Sequence, residues 1–485
     1  ALAAFQETAN GSRELLEKID DLTGRLRGEI GESLRDVRGS PPLEQVTTGS
    51  LEALRVYAEG ARQIDMGGNP LEAAKRIEEA VRIDSTFAMA WRKLGVARSN
   101  AGLPRPRVDS ALEKAYQYRD RLTEKERLMA EGTYFHLGPG RDRAKAIDAY
   151  ERLLAIDPTE SGAANNVAIL YAGRRDYARA ESLYRAQIAD GRATTQQYTN
   201  LTTALFNSGK VDEAEKLFNE YRDLYPNSLT ATTGRVHYLY QRGQLDSIEA
   251  MLREWYGSRN PILKVNGAGG LATYNLMHGR LSQVERYGKE AQRIAEQLGA
   301  NPSNPINDSL QYSWMDLMWM RDTARALRRM SDVLRRVDID ELPMLQRPYL
   351  GLASFYAEAG DVASARRYLQ ADIDEWKGDP VELRARASSQ MSIQGIIARA
   401  EGNHDEALRL LWRSDTTYDG PNGQCGMCLY DDIADTWDRK GVTDSALFYY
   451  EKYSNTPFLG RQNFDASQIA VRFRRMGELY ERQGN

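Results

Sequence analysis

Three stretches decide the fold: AIDAYERLLAIDP at 146–158, AESLYRAQIADGR at 180–192 and AEKLFNEYRDLYP at 214–226. Each opens on an alanine, and Ala146, Ala180 and Ala214 are separated by 34 residues. Four residues on from each comes a ring: Tyr150, Tyr184 and Phe218. Residues four apart on a helix lie one above the other, so small and aromatic side chains share one face. Pro158 and Pro226 stand 12 residues after their alanines. They end a helix, because the pyrrolidine ring disfavours α geometry in the residue before it. Upstream, Val167 with Tyr171 and Leu201 with Leu205 mark a preceding helix in each unit. The unit is therefore a helix pair in which a small residue lets the second helix press on the first.

The period survives extension outward. Gly360, Ala365 and Leu369 repeat it, as do Gly402, Ala407 and Leu411, and Gly441, Ala446 and Tyr450. Each set follows a first-helix signature, such as Leu352, Ala353 and Tyr356, or Tyr430, Ile433, Ala434 and Trp437. Weaker copies stand around Leu252, Val284 and Ala326, and at the N-terminal side Tyr57 goes with Ala73 and Trp91 with Ala111. This small/aromatic grammar resembles the tetratricopeptide repeat. The expected fold is all-α, a right-handed superhelical solenoid of about eleven tetratricopeptide-like helix pairs plus a partial terminal unit. Residues 1–46 read as an amphipathic helix, from about Ser12 to Arg38, and a linker, a remnant of an upstream domain. Residues 47–485 read as the solenoid, with a kink near 300–335, where Arg321-Asp322 replaces the turn glycine. Thr123 with Glu126 reads as a capping box. Phe473, Met476, Gly477 and Tyr480 form a first helix with no second one after it, so the natural polypeptide is expected to continue past Asn485.

Composition excludes several classes. Lys+Arg 65 against Asp+Glu 69 gives a net charge of -4, without the basic excess of nucleic-acid or anionic-lipid binders. The split of 13 Lys to 52 Arg is spread along the chain and fits a GC-rich genome. No apolar run approaches a membrane span, and two cysteines cannot build a disulfide-dense scaffold.

A narrower resemblance rests on Pro41-Pro42-Leu43-Glu44-Gln45-Val46 running into Ser50-Leu51-Glu52-Ala53-Leu54, and on the closing Cys425, Cys428, Leu429 and Gly477-Glu478-Leu479-Tyr480. These resemble the extracytoplasmic C-terminal halves of membrane-anchored bacterial serine/threonine protein kinases and their kinase-less relatives. The resemblance implies a periplasmic, extracytoplasmic location and a membrane anchor in sequence upstream of Ala1. It transfers no kinase activity to these residues, which contain no kinase motif.

Catalytic constellations are sparse. His136, His237, His278 and His404 fall in four different repeats. Gly267-Ala268-Gly269-Gly270 lacks the Lys-Ser/Thr of a phosphate loop and reads as tight helix packing. No catalytic, metal or cofactor residues are expected. Cys425-Gly426-Met427-Cys428 lacks the further ligands of structural zinc and the histidine of covalent haem attachment. Two readings remain, reduced thiols or a local disulfide, with a redox-active pair as a smaller alternative. The disulfide is favoured, because residues i and i+3 at a helix start lie within the separation such a bond tolerates.

Trp314, Met315, Met318, Trp319 and Met320 raise an aromatic ligand site, with core packing the preferred reading. First-helix residues face the groove of such a solenoid. The expected partner-binding set is Asn165, Ile169, Thr199, Thr203, Phe206, Asn207, His237 and Tyr240, then Ser354, Ile396, Arg399 and Asp435. It is hydrogen-bonding in the centre and acidic near the end, which suits an extended protein or peptide partner. The basic side chains of a peptide-carboxylate clamp are missing: Thr199 and Thr233 stand in their places. A non-enzymatic scaffold or sensor is the leading expectation, with a permanently docked subunit of a larger assembly as its rival. A redox-active accessory protein is the third.

Overall fold

The computed structural model describes residues 5–9, 14, 18, 21, 22, 25, 48–65, 69–191, 193–226, 228–298 and 304–484. The helix expected over 12–38 and the linker after it fall, but for a few positions, outside the described residues. Twenty-three α-helices follow among the described residues. They form eleven successive antiparallel pairs and one closing helix: α1 (Leu51–Asp65) and α2 (Pro70–Ile83); α3 (Ala88–Asn100) and α4 (Arg105–Gln117); α5 (Glu124–Leu137) and α6 (Arg143–Ile156); α7 (Ser161–Gly173) and α8 (Tyr177–Ala189); α9 (Thr195–Asn207) and α10 (Val211–Leu224); α11 (Leu229–Gln241) and α12 (Leu245–Gly257). The C-terminal half continues with α13 (Pro261–Met277) and α14 (Leu281–Gln297); α15 (Pro305–Met318) and α16 (Thr323–Leu334); α17 (Tyr349–Glu358) and α18 (Val362–Trp376); α19 (Pro380–Ala400) and α20 (His404–Ser414); α21 (Tyr430–Arg439) and α22 (Thr443–Asn455); and α23 (Gln462–Gln483) alone. This is an α-solenoid of eleven pairs and a partial unit, as the period predicts. The chain divides into two compact units, 1–170 and 171–485, with the boundary inside α7.

Local chemistry explains the ends of the helices. Thr123 accepts from Glu126 N while the Glu126 carboxylate accepts from Thr123 N, the expected capping box. Asn69, Asp142, Asp176, Ser228, Asn260, Asp361 and Asp379 cap other helices with their side-chain oxygens. The turns inside the pairs use residues with left-handed backbone, Gly209, Gly279, Gly360, Gly402 and Gly441 among them. At two such turns arginine takes that conformation: Arg175 at φ 60 and Arg321 at φ 53. At Arg321-Asp322, where the turn glycine is missing, the arginine itself takes the left-handed conformation.

The period is one of burial. Ala146, Ala180, Ala214, Ala365, Ala407 and Ala446 are all 0% exposed, and Tyr150, Tyr184 and Tyr450 are as deeply enclosed. In several pairs the first helix supplies a glycine at the contact. A Cβ on Gly95 would lie 2.4 Å from Leu112 Cδ2, on Gly132 2.5 Å from Tyr150 Cε1, and on Gly395 2.9 Å from Leu411 Cγ. Helices of about 13 residues are marginal alone in water, so this packing is what stabilises them.

Gly132→Ala and Gly288→Ala therefore act in opposite directions. Tyr150 is enclosed on all sides and cannot yield, so overpacking at Gly132 outweighs the better helix propensity of alanine and destabilises by roughly 1–2 kcal/mol. Gly288, inside α14, has nothing within 4 Å of its added Cβ. Alanine there stabilises by about 0.5–1 kcal/mol. Urea unfolding monitored by circular dichroism checks both signs.

Candidate functional site

The first helices of the pairs carry the expected partner-binding residues, and the structure separates them into three groups. The first is local. Asn165 Nδ2 donates to Asn166 Oδ1 at 3.4 Å. Ile169 is half-buried on the same helix. Thr199 and Thr203 donate their hydroxyls to carbonyls of their own helix, Thr195 O and Thr199 O, both at 2.8 Å. Phe206 is 1% exposed and meets Tyr238 edge-on at 5.6 Å, which makes it a core residue instead of a groove one.

The second group, Asn207, His237 and Tyr240, holds a segment of the chain's own C-terminal part. Asn207 Oδ1 accepts from the backbone N–H of Leu459 at 2.8 Å. The His237 Nδ1 lies 2.9 Å from Gln462 Nε2 and 3.2 Å from Gln462 Oε1. Tyr240 Oη donates to Asp465 Oδ2 at 2.8 Å, and Asp465 also accepts from Tyr453 Oη at 2.9 Å and Arg461 Nε at 2.8 Å. Burial first, then the neighbouring Asp465 carboxylate, holds the Tyr240 hydroxyl above its usual range and keeps it protonated as the donor. Burial pushes His237 below the usual histidine value, partly offset by Gln462, so the imidazole is neutral near pH 7.

Further contacts fasten the same part of the chain. Arg175 pairs bidentately with Asp415, Nη1 to Oδ2 at 2.8 Å and Nη2 to Oδ1 at 2.6 Å, and donates to Cys425 O at 2.8 Å. Tyr177 Oη donates to Gln424 O at 2.8 Å. Trp319 Nε1 donates to Ser467 O at 2.8 Å. The loop between α20 and α21 is shaped by a two-residue ladder, Thr416 with Pro421 and Thr417 with Gly420, and by a Cys425–Cys428 disulfide with its Cα atoms 5.5 Å apart. Asp415, Gln424, Cys425 and the stretch from Leu459 to Ser467 are thus fastened by first-helix residues, turn residues and the start of α8, between 175 and 319. Sequence reasoning named Asn207, His237 and Tyr240 but did not find their occupant, nor Arg175 and Tyr177; Trp319 it named only within a candidate aromatic ligand site. An arginine at a glycine-type turn was the one available signal for Arg175.

Ser354, Ile396, Arg399 and Asp435 form the third group, around a cavity of about 420 Å³ inside the second unit. Ser354, Ile396 and Asp435 line it, with Trp314, Met318, Trp319, Phe464, Glu358, Asp431 and Asp432. Arg399 stands behind the wall with its side chain 2% exposed. It binds Glu358, the Asp432 carbonyl and carboxylate at 2.9 and 3.0 Å, and Asp435 at 3.3 Å. Arg439 bridges Glu358 at 2.7 Å and Asp435 at 2.9 Å, and Arg472 pairs with Asp431. Burial raises Asp431 to about 6 against the opposing pull of Arg472. Burial acts the same way on Asp435, but Arg399, Arg439 and Arg472 together hold it low. The acidic end of the expected groove is therefore a carboxylate–guanidinium network, whose arginines come from α19, α21 and α23.

A second cavity of about 340 Å³ lies beside His237 and Tyr240, with Asn266, Gly269, Thr273 and Gln462 in its wall. The glycines of 267–270 divide their work. A Cβ on Gly267 would meet Tyr256 N at 2.3 Å and one on Gly270 would meet Leu252 Cδ2 at 2.3 Å, whereas Gly269 has open space. The first two are packing glycines, as read from sequence. No group of histidine, cysteine and acidic residues arranged to hold a metal ion occurs among the described residues. No helix there is long and apolar enough to cross a membrane.

Residues 176–228 match the tetratricopeptide repeat family in its TPR_6 form. No curated protein matches the chain. Among solved structures it is similar to a tetratricopeptide repeat protein from Parabacteroides merdae ATCC 43184, at 16% identity over 50% of this chain and 94% of that one, with a TM-score of 0.35. It is also similar to a Rap protein complexed with competence and sporulation factor, at 12% identity over 84% and 98% of the two chains, with a TM-score of 0.37. A third is the Cut9–Hcn1 hetero-tetramer of the APC/C, at 11% identity over 96% and 89%, with a TM-score of 0.34. The helix pairs fold as an α-solenoid, and residues 176–228 within it match the tetratricopeptide repeat family.

Proposed function

We propose that this protein is a non-enzymatic interaction module that holds extended protein segments along the first-helix faces of its second unit. Repeats of this type generally mediate protein–protein contacts. The observation that carries the proposal is the Asn207 side chain accepting from the Leu459 backbone N–H at 2.8 Å. An amide that clamps main chain recognises an extended segment whatever its side chains, and His237 and Tyr240 add the selectivity. The C-terminal segment is the resident occupant, and a partner segment of similar polarity competes for the same positions.

A second reading, a subunit docked through its outer surface, is favoured by exposed rings on second helices: Trp412 is 40% and Phe448 55% exposed. The resemblance of 41–60 and 425–480 to kinase-linked extracytoplasmic domains supports a sensor role outside the cytoplasm. The Cys425–Cys428 bond suits an oxidising compartment and supports the same location. The redox-accessory reading has no comparable support, because the pair sits in a loop anchored by Arg175 and Tyr177.

Two measurements test these proposals. In affinity capture from native membranes, His237→Ala with Tyr240→Ala weakens partner binding at least tenfold, about 1.4 kcal/mol. Gln462→Ala with Asp465→Ala strengthens it by loosening the resident segment. Loss of capture by Trp412→Ala with Phe448→Ala, and by neither of the other pairs, establishes the docked-subunit reading instead. Alkylation of protein from its native compartment before and after reduction, read by mass spectrometry, finds no free thiol and then two; two free thiols at the outset defeat the extracytoplasmic assignment.

A further inference from the structure

The 420 Å³ cavity of the second unit shares residues of α23 with the segment held by Asn207, His237 and Tyr240, and has walls of two kinds. One is aromatic and soft: Trp314 and Met318 from α15, Trp319 at its C-cap, and Phe464 from α23. These tryptophans belong to the stretch whose sequence raised a ligand site. Met315 is indeed core at 6% exposed, but its neighbours Trp314, Met318 and Trp319 are only part-buried and reach the cavity.

The other wall is charged and does not balance. Glu358, Asp431, Asp432 and Asp435 supply four carboxylates, and the guanidinium groups bound to them belong to Arg399, Arg439 and Arg472. Arg399 is divided among Glu358, Asp432 and Asp435, and Arg439 between Glu358 and Asp435. Arg472 is committed to Asp431. One negative charge is left over in a wall where Asp431, Glu358 and Asp435 are largely shielded from water and Asp432 is part-exposed, and a cation or a proton that meets it is favoured.

We propose that this cavity is a binding site for a small organic cation, an ammonium group carried on an aromatic or branched apolar body. The ammonium supplies the missing positive charge to the carboxylate wall and donates hydrogen bonds to its oxygens. The apolar body lies on the tryptophan–methionine wall, where a cation beside indole gains further attraction. The volume is within the ordinary range for small-molecule sites, about 300–1,000 Å³. An anionic ligand is disfavoured by the same wall, because it faces four carboxylates and no uncommitted guanidinium. A metal ion is disfavoured because the carboxylates are spread along guanidinium partners and do not converge.

The test is isothermal titration calorimetry of the full 485-residue chain with three matched probes: tryptamine, the neutral tryptophol and the anionic indole-3-acetate. Tryptamine binds, tryptophol binds at least tenfold more weakly, and indole-3-acetate gives no binding heat. Asp432→Asn removes the surplus charge and lowers tryptamine affinity at least tenfold while leaving tryptophol affinity unchanged; a folding defect would lower both. Ser467→Phe fills the cavity and abolishes binding of both probes with an unaltered circular dichroism spectrum. No binding of tryptamine, equal affinity for tryptamine and tryptophol, preference for indole-3-acetate, or an Asp432→Asn variant that keeps its tryptamine affinity overturns the proposal.

Discussion

The structure depends on one contact: a small residue of one helix against a large residue of the next. Gly132 of α5 pressed on the Tyr150 ring of α6 shows it, with Ala146 fully enclosed one turn before that ring. Without a Cβ or beyond a methyl group, the first helix lets the second approach until the ring is enclosed and its apolar area leaves water. Burying one such side chain contributes about 1.5–3 kcal/mol, whereas a helix of some 13 residues has little stability of its own. Repetition of the contact is what makes one helix pair the support of its neighbours.

That regularity explains how residues far apart in sequence become one surface. Arg175, Asn207, His237 and Trp319 occupy first-helix or turn positions in separate pairs, yet all bind the part of the chain between 415 and 467. The contacts are of unequal weight. Arg175 with Asp415 is bidentate and mostly shielded from water, the kind of ion pair that specifies geometry, while the single neutral hydrogen bonds contribute about 1 kcal/mol each. Their sum holds an irregular stretch, 456–461, that has no helix ladder to satisfy its backbone. The same stretch leads into α23, whose Phe464, Ser467 and Arg472 complete the wall of the larger cavity.

The repeat architecture was legible because burial repeats with a fixed period, and the alanine and aromatic positions named from sequence are the enclosed ones. Capping was legible too, since Thr123 and Glu126 act within one turn. Groove membership was read only in part. Phe206 shares the helix of Asn207 but turns into the core toward Tyr238, and a one-dimensional period cannot separate two residues that differ by 100° on a helix. The neutralisation of Asp431 and Asp435 was hidden for another reason: Arg399 and Arg472 lie on different helices, 32 or more residues away from Asp431. Contacts of that range come from the way pairs stack, which residue type and spacing do not encode. The anchoring of 415–428 and 459–467 likewise needs the folded second unit before any partner can be named.

The first-helix faces of the second unit clamp the chain's own C-terminal segment. Amide hydrogen exchange of residues 456–467, compared between the wild-type chain and a chain with Asn207→Ala and Tyr240→Ala, tests it most directly. Leu459 and its neighbours exchange slowly in the wild type and at least tenfold faster in the variant, with α9 to α12 unchanged. Rapid exchange of Leu459 in the wild type, or protection that survives both substitutions, would contradict it.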